Sequence, residues 1–235
     1  RNTEKEDEGL YTFYDIKGED QKLKNVIKYA KQAAKTDSSI LIVGETGTGK
    51  ELFAQSIHNS SNRSKDAFIA QNCAALPENL LEGILFGTRK GGFTGAVNRN
   101  GLFEQANGGT LLLDEINSMS PTLQAKLLRV LQRNKVRPVG GDEQIKVDVR
   151  IIATTNTPPI DAIRRGDLRE DLYYRLAVVL LYLPLLSDRK DDIELLSNYF
   201  IKRFSNKFSS NVKGLSKQCL TLFKNYDWPG NVRQL

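Results

Sequence analysis

Short apolar runs recur at residues 39–43, 68–71, 110–113, 150–155 and 178–183, and helical patterns separate them. Runs of this length, bounded by polar turns, suit strands buried on both faces. The helical crossovers between them predict a parallel sheet sandwiched by helices, an α/β architecture with ligands at the carboxyl ends of the strands. Ser120-Pro121 followed by Leu123, Leu127, Leu128 and Leu131 predicts a capped amphipathic helix with proline in its first turn. Beyond Pro184 the pattern is helical only. Ile193, Leu196, Tyr199, Phe200 and Phe204 fall on one face, and Leu215, Leu220, Leu222 and Phe223 on another, which predicts a small helical subdomain. The expected organisation is a charged linker over residues 1–13, an α/β subdomain over 14–184 and a helical lid over 185–235 that is truncated at its C-terminus.

Between the run ending at Val43 and the next helix lies Gly44-Glu45-Thr46-Gly47-Thr48-Gly49-Lys50-Glu51. Three glycines let successive backbone N–H groups converge on one anion. Lys50 adds a point charge, and the helix that starts beside it presents its positive dipole end. The segment reads as a phosphate-binding loop for a nucleoside triphosphate. Glu51 stands where a Ser or Thr hydroxyl usually follows the lysine to reach Mg²⁺.

The run Leu111-Leu112-Leu113 ends in Asp114-Glu115 at the same edge of the sheet. Asp114 can hold Mg²⁺ directly or through water, and Glu115 can orient and polarise an attacking water. Two readings stay open for Thr155 and Asn156 at the end of another run: bonding to the γ-phosphate or water, or a strand-terminating turn led by Thr157-Pro158-Pro159. Asn72 poses the same choice. Arg169 and Arg175 either pair with nearby acids on a solvated face or act elsewhere.

Composition narrows the classes. The 235 residues carry a net charge of +6 and no apolar run long enough to cross a bilayer, so the chain reads as neither membrane-spanning nor secreted. It starts without Met and reads as a cytoplasmic fragment of something longer. Cys73 and Cys219 lack metal-ligand spacing and suit reduced thiols. The one histidine, His58, has no ligand partner at helical spacing, which points to packing rather than to zinc or hydrolase chemistry. Lys90-Gly91-Gly92-Phe93-Thr94-Gly95-Ala96 is either a mobile loop with an apolar tip or a tight turn with Phe93 tucked inward.

Together these residues resemble the AAA+ ATPase domain of sigma-54-dependent transcription activators, the bacterial enhancer-binding proteins. The resemblance runs from about Tyr14 to the end of the chain. It rests on GETGTGKE, the stretch Asn72-Cys73-Ala74-Ala75-Leu76-Pro77, GGFTGA at Gly91 to Ala96, the strand into Asp114-Glu115, and Trp228-Pro229-Gly230-Asn231-Val232-Arg233. The family tolerates Glu after the loop lysine. The stretch Leu85-Phe86-Gly87-Thr88-Arg89-Lys90 further resembles activators of arginine catabolism in Gram-positive bacteria.

The resemblance implies an AAA+ P-loop NTPase that hydrolyses ATP with Mg²⁺. It implies that Ile16 and Gly18 line the adenine pocket, that Gly44 to Glu51 hold the phosphates with Lys50 on the β and γ groups, and that Asp114 and Glu115 are the metal and water pair. Asn72 would restrain Glu115, Thr155 and Asn156 would form the first sensor, and Arg233 the second. Arg169 and Arg175 match a pair that enters the neighbouring subunit's ATP site in a ring, expected to be a hexamer. The loop Gly91 to Ala96 would present Phe93 and Thr94 to the sigma-54 factor of RNA polymerase, and DNA would be bound by a module outside this chain.

Gly92 stands where the family usually has alanine, Thr88-Arg89 where it has His-Glu, and the stretch Leu185 to Arg189 lacks one arginine common in its relatives. These departures bear on the coupling of loop to nucleotide. Two other readings are a nucleotide-binding regulatory scaffold without turnover, against which Asp114-Glu115 and the two arginines argue, and another AAA+ machine, in which GGFTGA would have no reason to occur.

Overall fold

The computed structural model describes residues 10–91, 97–209 and 211–235. The five apolar runs form one parallel sheet of β1 (Ile40–Val43), β2 (Phe68–Asn72), β3 (Thr110–Asp114), β4 (Arg150–Thr155) and β5 (Val179–Tyr182). The spatial order is β2-β3-β4-β1-β5, with every neighbouring pair parallel. This is the α/β architecture that the apolar runs predict.

Side chains alternate between two cores. Leu41, Val43, Leu111, Leu113 and Ile151 face one, where they meet Leu81, Leu85, Leu127 and Leu172. Ile40, Ile42, Leu112 and Ile152 face the other, against Leu23, Ala30, Phe53 and Ile57. A strand alternates faces at every residue, so a strand covered on both sides must be apolar throughout. The first core is closed by α3 (Glu78–Phe86), α5 (Pro121–Arg133) and α7 (Glu170–Leu176), and the second by α1 (Gln21–Ala34) and α2 (Lys50–Asn59). The short helices α4 (Leu102–Gln105) and α6 (Pro159–Arg165) add Phe103 and Ala162 to the first core.

The helix ends have identifiable causes. The Asp20 carboxylate accepts the N–H groups of Lys22 and Leu23 to start α1, and Ser120 accepts that of Leu123 to start α5 with Pro121 in its first turn. At the other end of α1 the guanidinium of Arg150, 2% exposed, donates to the carbonyls of Ala33 at 2.8 Å and Ala34 at 3.1 Å. A cation on those last carbonyls satisfies acceptors the helix cannot.

Two short antiparallel ribbons leave this frame. Gly87–Thr88 pairs with Arg99–Asn100, and Lys135–Val136 pairs with Ile145–Lys146. They are tied together: the Val139 N–H donates to the Gly87 carbonyl at 2.9 Å, and the Arg89 N–H to the Val139 carbonyl at 3.0 Å. Arg89, where the family usually has a carboxylate, brings its guanidinium to 3.6 Å from Glu104.

After β5 the chain is helical: α8 (Lys190–Phe208), α9 (Lys217–Asn225) and α10 (Asn231–Gln234) enclose Leu186, Ile193, Leu196 and Trp228. Two sequence expectations need correction. The apolar stripe of α8 enters this core only as far as Phe200, because Phe204 is 45% exposed, and Leu222 on α9 is 69% exposed. Residues 10–13, placed in the linker by the sequence pattern, pack on the α/β body. Phe13 is buried in the second core, and the Asn59 amide donates to the carbonyls of Leu10 and Tyr11, so residues 10–13 belong to the fold. Among the described residues no helix is long and apolar enough to cross a membrane. Both cysteines are free.

Candidate nucleotide site

The loop between β1 and α2 opens onto a cleft of about 1080 Å³ where the α/β subdomain meets the lid. Thr46, Gly47, Gly49, Lys50 and Glu51 line it from the loop and the first turn of α2, Asp114 and Glu115 from the end of β3, and Arg233 from α10. Residues separated by more than a hundred positions converge because β1 and β3 both end at this edge and α10 folds back over it.

Local chemistry sets the loop's shape. Thr48 closes a turn on the Glu45 carbonyl through its hydroxyl at 2.7 Å, and Gly47 and Gly49 have φ of 82° and 99°. A β-carbon on Gly47 would stand 2.0 Å from the Gly230 carbonyl oxygen, so the lid's approach as well as the backbone angle requires glycine there. The lid is bonded to the loop. Asn231, 1% exposed, donates its amide to the Thr46 carbonyl at 3.1 Å and accepts the Leu186 N–H at 2.8 Å, and the Val232 N–H donates to the Gly47 carbonyl at 3.1 Å.

Lys50 is 8% exposed and donates to the carbonyls of Gly44 at 2.7 Å and Glu45 at 3.2 Å. Burial lowers its pKa, Asp114 and Glu115 oppose that shift, and Arg233 adds to it. A poorly hydrated ammonium that faces carboxylates suits an added polyanion. Asp114 is held from two sides: the Thr154 hydroxyl donates to it at 2.5 Å and the Asn72 amide at 3.1 Å. Glu115 follows with φ 57° and ψ 53°, a left-handed conformation that a glutamate rarely adopts, and its N–H donates to the Thr154 hydroxyl at 3.0 Å.

The pair fits magnesium. That ion takes one or two protein carboxylates, completing its shell with phosphate and water oxygens. Asp114 offers one carboxylate beside the phosphate loop, and among the described residues no cluster of His, Cys, Asp or Glu forms an all-protein metal site.

Other sequence candidates fall elsewhere. Asn72 donates to Asp114 rather than to Glu115, because β2 and β3 pair in parallel with Asn72 opposite Asp114. Thr155 is buried, and its hydroxyl donates to Asn117 at 3.0 Å; Asn156 accepts from the same asparagine at 3.2 Å. The side of β4 that meets Asp114 is therefore the Thr154 side. Ile16 packs against the second core, and Gly18 lies against Leu23 and Asp192. Leu10, Tyr11 and Asp15 supply that end of the cleft wall.

Arg169 chelates Asp171 through Nε at 3.0 Å and Nη2 at 2.7 Å, whereas Arg175 donates to the Leu131 carbonyl of α5 at 2.6 Å and 3.2 Å. Neither lines the cleft of its own chain. Gly91 is described, with φ 95°, while Gly92, Phe93, Thr94, Gly95 and Ala96 lie outside the described residues. Sequence reasoning missed Thr154 and Asn231. The Thr154-Thr155 doublet on an otherwise apolar strand and the asparagine within Trp228-Pro229-Gly230-Asn231 were the available signals.

Sheet order, phosphate loop, acidic strand end and helical lid define an AAA+ P-loop NTPase. The comparisons agree: a protein-family model described as "Sigma-54 interaction domain" matches residues 16–182, and one described as "AAA+ ATPase lid domain" matches residues 187–235. The chain belongs to the sigma-54 interaction domain family. It is 57% identical over 234 residues to the transcriptional activator RocR of Bacillus subtilis, covering 100% of this chain and 51% of that protein. It is 50% identical to the regulatory protein AtoC of Escherichia coli, with 90% and 46% covered. The chain thus spans about half the length of the curated relatives it matches. The crystal structure of NtrX from Brucella abortus in complex with ATP superposes with a TM-score of 0.86 at 34% identity, covering 94% of this chain and 50% of that one.

Proposed function

We propose that this chain is the ATP-hydrolysing module of a transcription activator that remodels RNA polymerase bound to sigma-54. The observation that carries the reading is the convergence of Lys50, Asp114, Glu115 and Arg233 on one cleft beside a glycine loop. The NtrX structures with ATP and with ADP, related to this chain over nearly all its length, support nucleotide as the occupant.

In this reading the loop from Gly44 to Glu51 receives the phosphates, and Lys50 exchanges its carbonyl partners for β- and γ-phosphate oxygens. Asp114 would hold Mg²⁺, and the ion would supply positive charge against the charge that develops on the phosphates. Glu115 orients and polarises the attacking water, and Asn72, through Asp114, steadies the pair. Arg233 reads the γ-phosphate from the lid, with Thr155 and Asn156 at the neighbouring strand end as first sensor. Arg169 and Arg175 serve the adjacent copy's nucleotide, so hydrolysis requires a ring, a hexamer by the family resemblance. Arg169 is exposed, and swinging from Asp171 to a phosphate replaces one exposed ion pair with a stronger contact. Phe93 and Thr94 make the contact to sigma-54.

The test is phosphate release from Mg-ATP as a function of protein concentration. Specific activity should rise with concentration, and Glu115→Gln should bind ATP without turnover. Equal specific activity in a proven monomer refutes the arginine assignment, and no turnover at any concentration refutes the reading as a whole. Phe93→Ala should keep ATPase activity and lose polymerase activation; unaltered activation removes the loop from the account.

A further inference from the structure

Residues 10–20 form a strap that runs from α2 to the lid, and Leu10, Tyr11 and Asp15 of it line the cleft. One end is held by α2: the Asn59 amide donates to the carbonyls of Leu10 at 2.7 Å and Tyr11 at 2.8 Å, and the Tyr11 N–H donates to Gln55 at 3.0 Å. In the middle, Asp15 accepts the N–H and hydroxyl of Thr12, and both Tyr11 and Asp15 face the cleft. The other end meets the lid.

At that end Asp192, in the first turn of α8, is fully buried. Its Oδ1 accepts the N–H of Glu19 at 2.6 Å and that of Asp20 at 3.2 Å. Among the described residues its Oδ2 has no hydrogen-bond partner; it lies 3.6 Å from the guanidinium of Arg189, itself 4% exposed and with its Nε likewise without one. A β-carbon on Gly18 would sit 2.6 Å from that Oδ2, so the strap reaches the carboxylate only because residue 18 has none. Lys17 adds a looser tie, its ammonium 5.8 Å from the ring of Tyr199 on the same helix.

A buried carboxylate with one oxygen outside any hydrogen bond is costly, and it is offset here by the Arg189 guanidinium and by bonds to strap backbone some 172 residues away in sequence. We propose that Asp192 is a positioning residue for the nucleotide cleft, pinning the strap's far end to the lid so that this wall and Arg233 keep one geometry. The proposal rests on the nucleotide reading above. Release of the pin leaves Lys50, Asp114 and Glu115 untouched, so the loss falls on binding rather than on the chemical step.

Two measurements on the whole chain test it. Amide hydrogen exchange without nucleotide should show residues 19 and 20 losing protection in Asp192→Ala while the α2 end of the strap keeps its own. Steady-state kinetics should show KM for ATP raised by about fivefold or more, with kcat at saturation within about twofold of the wild type. Asp192→Asn, which still offers an oxygen to both N–H groups, should recover most of the affinity. If Asp192→Ala does not fold, Glu19→Pro removes one of those donors from an exposed strap position and should raise KM alike. Unchanged protection at residues 19 and 20, or unchanged KM in a folded variant, overturns the pin. A wild type that binds no nucleotide sinks the functional reading instead, and the exchange result still judges the contact.

Discussion

The hydroxyl of Thr154 donates to the carboxylate of Asp114 at 2.5 Å and accepts the N–H of Glu115 at 3.0 Å. One side chain on β4 thereby fixes both acids at the end of β3. Thr154→Val keeps shape and removes both bonds, leaving a backbone N–H unsatisfied at about 1–3 kcal/mol. The expected result is a lower melting temperature, a kcat reduced by about tenfold or more, and little change in ATP affinity. Thr154→Ser should restore most of the rate. Wild-type turnover in Thr154→Val would show that the acids need no such support.

Gly47 and Gly49 should respond differently to alanine. Both pay for a left-handed residue, about 1–2 kcal/mol each. Only at Gly47 does the new carbon meet the lid, 2.0 Å from the Gly230 carbonyl, whereas nothing lies within 4 Å at Gly49. Without nucleotide, Gly47→Ala should melt below Gly49→Ala in a calorimetric scan. Equal melting temperatures would mean that the lid does not rest on the loop in solution.

His58 makes stability depend on mild acid. It is fully buried, and its Nδ1 is 2.9 Å from the Thr110 hydroxyl. Burial, reinforced by the charge of Arg150, holds its pKa below the ordinary 6.5. As pH falls through 6.5 the unfolded chain takes a proton that the folded chain refuses, so the stability present above that pH is progressively lost below it. Thermal melts from pH 7.5 down to about pH 5 should show this decline, and His58→Gln should flatten it. A parallel slope in the two proteins would assign the decline to carboxylates.

The two cysteines should part company under an alkylating reagent. Burial, with the negative charges of Asp114 and Glu115, pushes the Cys73 thiol far up, and the residue is 2% exposed. Cys219 is half-buried on α9. Since the thiolate is the reactive form, mass spectrometry should find Cys219 labelled in the native chain and Cys73 only after denaturation. Native labelling of Cys73 would reveal opening of the first core.

The sheet was legible in the sequence because burial on both faces makes each strand a continuous apolar run, and its ends fell within one residue of the observed bounds. The phosphate loop and the acid pair were legible because glycine, lysine and strand-end carboxylates have few other uses in that order. What two adjacent threonines do was not. Both faces of β4 are buried, so no apolar alternation tells Thr154 from Thr155; the parallel register that sets Leu113 opposite Ala153 decides it. Helical periodicity likewise gathered Ile193, Leu196 and Phe204 on one face without giving the length of the surface they meet, and Phe204 extends past it. The contact from Asn72 to Asp114 was hidden for the same reason, since the register that sets the two opposite each other is not written in their spacing.

The paired bonds between Val139 and the segment Gly87 to Arg89 join the two surface ribbons into one unit. Because Gly87 accepts from Val139 while Arg89 donates to it, the segment Gly87 to Arg89 and the turn at 137–141 are held to each other through backbone alone. A mechanical load on either ribbon is shared by four strand segments, and it reaches the body of the protein through α3, α4 and α5 together.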